Sequence, residues 1–280
     1  IDHVVELVDQ LPDVIDASRS QYKDSPYLRT IFASADDLQN FFNKDRELLA
    51  YLDSLSGPKP EYITALLVMT REENRVFGVE MDGEVLRRDV AQMTVNFTSR
   101  RLVDVSDTDE ETRRLLKRRA FDHLITLALH DVMESREVRL ELEQQYRLFR
   151  RKLETFEAEG WGFDAIQASE VADHATAKSR LEEIEAHLKE LPAKTELLSA
   201  NLDVLIKVFS ATAEKLYSRT SDMIVDRMNI IQQSRSEKNH QLTWHDIHSA
   251  NGAVVTVCMV RYPTAELAPK KSAQRKSLYQ

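Results

Sequence analysis

Residues 242–260 read LTWHDIHSANGAVVTVCMV, so His245, Asp246 and His248 stand directly before an apolar run, with His240 just upstream. Imidazoles three residues apart can reach one divalent ion if they lie on a helical turn, and a carboxylate beside them can ligate it or orient a ligand. A metal-dependent hydrolase would use such a set. The same stretch falls where a helical period gives way to an extended one, and polar residues at that kind of junction cap helices and form turns. The structural reading is the favoured one, with Trp244 covering the edge of the core, because a motif counts as a site only in its spatial context.

A second cluster, FDHLITLALHD, sets His123 and His130 two turns apart on a helix with Asp122 and Asp131 beside them. The His130-Asp131 pair resembles the doublet of the metal-dependent HD phosphohydrolases. No suitably placed upstream His accompanies it, and the extended segments before it are foreign to an all-helical fold. Partly buried spacers along the stripe of Leu116, Ala120 and Leu127 are the favoured reading.

The densest basic patch is Arg113, Arg114, Lys117, Arg118 and Arg119, with Arg100 and Arg101 upstream and Arg87 and Arg88 in VLRRD. Arg87, Arg88, Arg113, Arg114, Lys117 and Arg118 are the candidates for gripping a phosphate, as in a nucleotide. Asp109 and Glu110 lie four residues before Arg113 and Arg114, however, and favour ordinary surface ion pairs. Walker-type glycine loops, a G-x-S-x-G elbow, Cys-x-x-Cys and H-E-x-x-H are all absent.

These residues must be positioned by something, and the composition says what. With 42% apolar and 30% charged residues but only 6 Gly and 7 Pro in 280, the chain can bury a core and should be rich in helix. A net charge of −9 opposes general nucleic-acid affinity. The single cysteine, Cys258, reads as a small core residue in a reducing, cytoplasmic protein. No apolar stretch is long enough to span a bilayer, and no basic leader followed by an apolar block opens the chain.

Periodicity orders the elements. A short helix should end near Pro12, and a second should follow through Val14 and Ile15. Ser34 should cap a helix that runs to Gly57 and Pro58. YITALLVM, RVFGVEM, QMTVNFT and RLVDV read as strands of an antiparallel meander, with REEN as a polar break and Asp82-Gly83 as a two-residue turn. The helical period then persists from Asp107 to about residue 238, with a tip at EGWG and a kink at Pro192. Asn251-Gly252 turns the chain into a last strand.

The expected fold is α+β and mainly helical, with an antiparallel sheet of five or six strands and a long helical-hairpin, coiled-coil-like insertion before the last strand. Residues 1–135 should form the head, 136–238 the arm, 239–268 the returning strand and 269–280 a basic tail. A helical stripe of this length must be covered by the returning helix, by a second copy or by another protein. The functional expectation is a non-enzymatic interaction or scaffold protein, with Tyr146, Phe149, Phe156, Trp161, Phe163 and Phe209 as candidate contacts and no cofactor. A metal-dependent hydrolase at His245, Asp246 and His248, or an anion-binding protein using the basic patch, is the alternative.

Overall fold

A computed structural model of the chain describes residues 2–82, 85–159, 168–190, 197–236 and 239–268. The helices are α1 (Asp2–Asp9), α2 (Pro26–Ile31), α3 (Ala35–Lys44), α4 (Arg46–Ser54), α5 (Asp109–Glu159), α6 (Ala168–Glu190), α7 (Leu197–Ser210) and α8 (Thr212–Lys215). The strands are β1 (Ile15–Asp16), β2 (Tyr62–Asp82), β3 (Val85–Ser106), β4 (Leu216–Val225), β5 (His240–Ser249) and β6 (Val254–Pro263). They form one sheet in the order β3-β2-β6-β5-β4, and β1 pairs with β6 in parallel. The fold is thus α+β, with helices α5 to α8 inserted between β3 and β4.

Several elements differ from the periodicity reading, each for a local reason. Ile15 and Asp16 form a strand rather than a helix because they pair with Val260 and Arg261 of β6. Ser34 caps α3 by accepting from the Asp37 amide at 3.0 Å, as expected. The single helix expected after it is two, because Asp45 takes extended geometry and caps α4 through the Leu48 amide at 2.9 Å. The arm also ends earlier than residue 238: Ile224 lies in β4, and Met228 lies in a turn in which Asp226 Oδ1 accepts from the Met228 and Ile230 amides.

The strands read between Tyr62 and Ser106 are one long hairpin. REEN does not break it, since Arg71, Glu72, Glu73 and Asn74 all pair across to β3. Asp82 pairs with Val85, so the strands meet across Gly83 and Glu84, which lie outside the described residues. Three register shifts interrupt the ladder, between Thr64 and Leu66, Val68 and Thr70, and Gly78 and Val79. At each one β3 contains an extra residue with positive φ: Asp104 at 54°, Ser99 at 50° and Asp89 at 59°. Such bulges increase twist and move the inward row by one residue. The core row of β3 accordingly runs Val105, then Leu102, then Phe97 and Val95.

Twist brings the two edges of the sheet to a common segment. Ile230 bridges to Thr94 of β3 and Ile231 bridges to Val225 of β4, with the Ile231 amide bonded to the Met93 carbonyl at 2.7 Å. The sheet therefore curls around one core. Leu28, Phe32, Leu38, Phe42 and Leu48 from the helices meet Ile63, Leu67, Met69, Leu242, Trp244, Cys258 and Tyr262 from the strands. Each such side chain contributes about 1.5–3 kcal/mol by leaving water. Cys258 belongs to this core as expected, and burial pushes its thiol up to about 12. On the other face of the sheet Leu66, Val257 and Met259 are also buried. Thr112 at the start of α5 donates to the Thr64 carbonyl there at 3.1 Å.

Tyr262 stacks on Phe42 with ring centroids 4.0 Å apart. Its hydroxyl is buried and has no hydrogen-bond partner among the described residues, and burial pushes its pKa up to about 12. Leaving a hydroxyl unsatisfied costs about 1–3 kcal/mol. Tyr262→Phe is therefore expected to raise stability by about 1 kcal/mol, measurable as a higher urea midpoint with unchanged slope. A lower midpoint would mean that the hydroxyl has a partner.

The chain divides into two compact units, Ile1–Phe121 with Thr212–Gln280, and Asp122–Ala211. The second unit holds the distal part of α5 together with α6 and α7. Within it Leu124, Leu127, Ala128, Val132, Ile184 and Val208 are buried, and Tyr146 Oη donates to Glu185 Oε1 at 3.0 Å, which sets α6 beside α5. Among the described residues, no helix is long and apolar enough to cross a membrane.

Candidate functional site

The residues proposed as metal ligands lie on β5, not on a helical turn. On a strand, side chains alternate between faces, and three residues span about 10 Å. Asp246 and His248 share the face of Trp244, while His245 points to the opposite one. Each imidazole has its own neighbours: His248 stacks on Tyr217 with centroids 4.9 Å apart, and His240 Nε2 lies 3.0 Å from Arg29 Nη2. Burial lowers the His245 pKa against the opposing effect of Asp246. Among the described residues, no group of three His, Cys, Asp or Glu side chains is placed to hold a metal. The candidate set His245, Asp246 and His248 therefore does not converge.

What the structure builds instead is a polar belt across four adjacent strands. Asp246 of β5 is buried, and its Oδ2 pairs with Arg71 Nη2 of β2 at 2.9 Å. Thr256 of β6 donates to Asp246 Oδ1 at 2.6 Å, and Arg71 Nη1 donates to Ser221 Oγ of β4 at 2.6 Å. Glu73 Oε1 lies 3.5 Å from Arg71 Nε. A cleft of about 410 Å³ opens beside the belt, lined by Arg71, Glu73, Ser221, Ile231, Gln232 and Gln241 among others. Ser221 Oγ in turn donates to Asp246 Oδ2 at 3.5 Å, which closes the network around the buried carboxylate. The belt ties strands together.

Arg71 was missed by the sequence reading, which treated it as part of a polar break. The signal was present. Inward residues of β2 are Ile63, Ala65, Leu67 and Met69, and continuing that period by two reaches Arg71. On β5 the same rule runs from Leu242 and Trp244 to Asp246. Two inward rows thus end in opposite charges.

The basic patch is largely committed to other partners. Arg113 pairs with Asp109 at 3.1 Å, four residues before it, and donates to the carbonyls of Val8, Leu11 and Pro12, holding the end of α1. Arg114 pairs with Glu111 at 2.6 Å rather than with Glu110. Lys117 pairs with Asp9 at 2.7 Å, Arg119 bonds Asp104 at 2.8 Å, and Arg118 also has a partner. Arg88 is exposed on the β2–β3 hairpin opposite Val79, and the side chain of Arg87 lies outside the described residues. The patch does not gather into one anion site. In the second histidine cluster, His123 and Asp131 are partly buried while His130 and Asp122 are exposed.

Of the proposed contact residues, Tyr146 and Phe149 are half-buried on α5, and Lys152 Nζ sits 5.6 Å from the Phe149 ring centroid. Phe209 is half-buried on α7. Phe156 is helical, but its side chain, like Trp161 and Phe163, lies outside the described residues. Among the described residues, the large apolar side chains that remain exposed on this unit are others: Leu129, Met133, Val138, Leu140 and Leu148 on α5, and Leu202 and Ile206 on α7.

No family model matches the chain, and no curated protein or solved structure matches it either.

Proposed function

We propose that this protein is a non-enzymatic interaction or scaffold protein, which self-associates or docks another protein through the helical unit Asp122–Ala211. The observation that supports this most directly is an apolar row on α5. Leu129, Met133 and Leu140 are 53%, 60% and 55% exposed. Steps of four and seven residues keep them on one side of the helix. The buried Leu124, Ala128 and Val132 occupy a different side. On α7, Leu202 and Ile206 repeat the pattern four residues apart, at 56% and 54% exposure. The helix is thus apolar on two sides, and one of them is left exposed among the described residues. A second helix packing there in coiled-coil fashion would remove that surface from water. A second copy is the simplest occupant, and a reducing cytoplasm suits the single buried thiol.

Mass measurement across a wide concentration range tests the reading. The wild-type chain is expected to gain mass with concentration. The triple variant Leu129→Ser, Met133→Ser, Leu140→Ser is expected to stay monomeric with its melting temperature held, since the three side chains are exposed. A wild-type chain that is monomeric throughout removes self-association. An unchanged mass distribution in the variant removes this face.

A further inference from the structure

A different part of the molecule gathers positive charge that the sequence scatters. Where α3 gives way to α4, Lys44 is the last residue of one helix and Arg46 the first of the next. Asp45 between them is fixed at both oxygens: Oδ1 accepts from the Leu48 amide at 2.9 Å, and Oδ2 accepts from the Leu102 amide of β3 at 3.0 Å. That second bond clamps the helix junction against the strand one residue from Arg101. Two cations of the helix junction are thereby held near a third from a distant strand, and all three line a cleft of about 670 Å³.

The acidic residues of the cleft do not cancel them. Asp37 is engaged by Arg100 at 2.9 Å and by the Ala33 amide, which holds its carboxyl below the usual range despite burial. Glu47 is shared by Arg119 at 3.3 Å and the Asp104 amide. Arg119 is shared with Asp104 at 2.8 Å, so one negative charge of that pair is left beside Asp45, whose oxygens both accept from backbone amides, and the three cations Lys44, Arg46 and Arg101 still outnumber these two. Among the described residues the side chains of Lys44, Arg46 and Arg101 make no ion pair or hydrogen bond. Guanidinium forks and an ammonium on one rim match the geometry and charge of phosphate groups.

The ligand must be compact. A long polyanion needs a continuous basic track, whereas this chain carries a net charge of −9 and pairs most of its other basic patch internally. A volume of about 300–1,000 Å³ is the ordinary range for small-molecule sites. We propose that the cleft bounded by Lys44, Arg46 and Arg101 binds a small molecule bearing two or more phosphate groups, independently of any association through the helical unit.

Titration calorimetry of the full chain with tripolyphosphate tests this. One site per chain is expected, weakening as salt rises. The double variant Arg46→Gln, Arg101→Gln should bind at least tenfold more weakly, and Lys44→Gln should weaken binding by a smaller factor. Arg114→Gln, which alters an exposed pair elsewhere, should leave binding unchanged. All these side chains but Lys44 carry guanidinium groups on the surface, so equal melting temperatures would confirm that the variants fold. Absence of heat at millimolar tripolyphosphate overturns the proposal, as does equal affinity in the double variant. Tighter binding of a single-stranded oligonucleotide, growing with its length, would overturn the compact ligand.

Discussion

Replacing Trp244 by alanine is expected to cost about 4 kcal/mol, the largest loss from any single side chain considered. The indole is 1% exposed and sits edge-on to Tyr27, with centroids 5.2 Å apart, and against Phe97 at 4.4 Å. Tyr27 is pinned in turn, accepting from the Thr243 amide at 3.1 Å and donating to the Thr243 carbonyl at 3.3 Å. Large aromatic truncations in cores cost about 3–5 kcal/mol, because the surroundings cannot collapse into the space left behind. Here α2 and two strands would each have to move. Trp244→Phe should be much milder, at about 1–2 kcal/mol, since the indole N–H has no hydrogen-bond partner among the described residues and its loss offsets part of the lost packing. Urea unfolding followed by far-ultraviolet circular dichroism would give both values. A loss below about 2 kcal/mol for the alanine variant would show that this corner of the core is loosely packed.

Asp246→Ala is expected to cost about 3 kcal/mol. The aspartate side chain is 8% exposed and Arg71 only 20%, so truncation leaves a guanidinium in a poorly solvated place with Ser221 and, at 3.5 Å, the more exposed Glu73 as its remaining partners. Removing one member of a buried pair costs about 3–5 kcal/mol, and the partial exposure of Arg71 places this case at the lower end. Removing both charges is different. Arg71→Met with Asp246→Leu should recover most of the loss, because an apolar pair of similar volume carries no desolvation penalty. The double-mutant cycle reads this as a coupling energy of about 2 kcal/mol. Strictly additive losses would show that the two residues act separately.

Much of the α+β architecture is legible in the sequence because it follows from short-range rules. The Ser34 cap, the break at Pro12, the long helix after Asp107 and the turn at Asn251-Gly252 each depend on a few neighbouring residues. Gly252 indeed takes φ of +82°, a conformation that suits glycine. The buried strand YITALLVM and the core position of Cys258 follow from apolar content alone. The long hairpin was less legible. Three bulges shift its inward row, so Val105, Leu102 and Phe97 do not obey one alternation, and a strict period of two breaks it into shorter strands. β4 was read as helix because Leu216 and Ile224 also fit a stripe spaced by fours.

Sites were harder to read than elements, and the reason is the same in each case. His245, Asp246 and His248 look like ligands as a string, yet pleating sends the first of them to the opposite face. Arg113 and Lys117 look like a phosphate grip, yet α1 and the residues just after it supply Asp9 and three carbonyls that absorb them. Conversely, Lys44, Arg46 and Arg101 carry no motif. Their proximity depends on Asp45 reaching the backbone of a strand more than fifty residues later.

The sequence by itself determined that this chain is a helix-rich α+β protein with an apolar core, a long helical insertion and a turn-bounded final strand, because propensity, capping and periodicity act over a few residues. Tertiary structure alone decided which charges neutralise one another and which stay available, because ion pairing depends on distances of a few ångströms between strands and helices that the chain order leaves far apart.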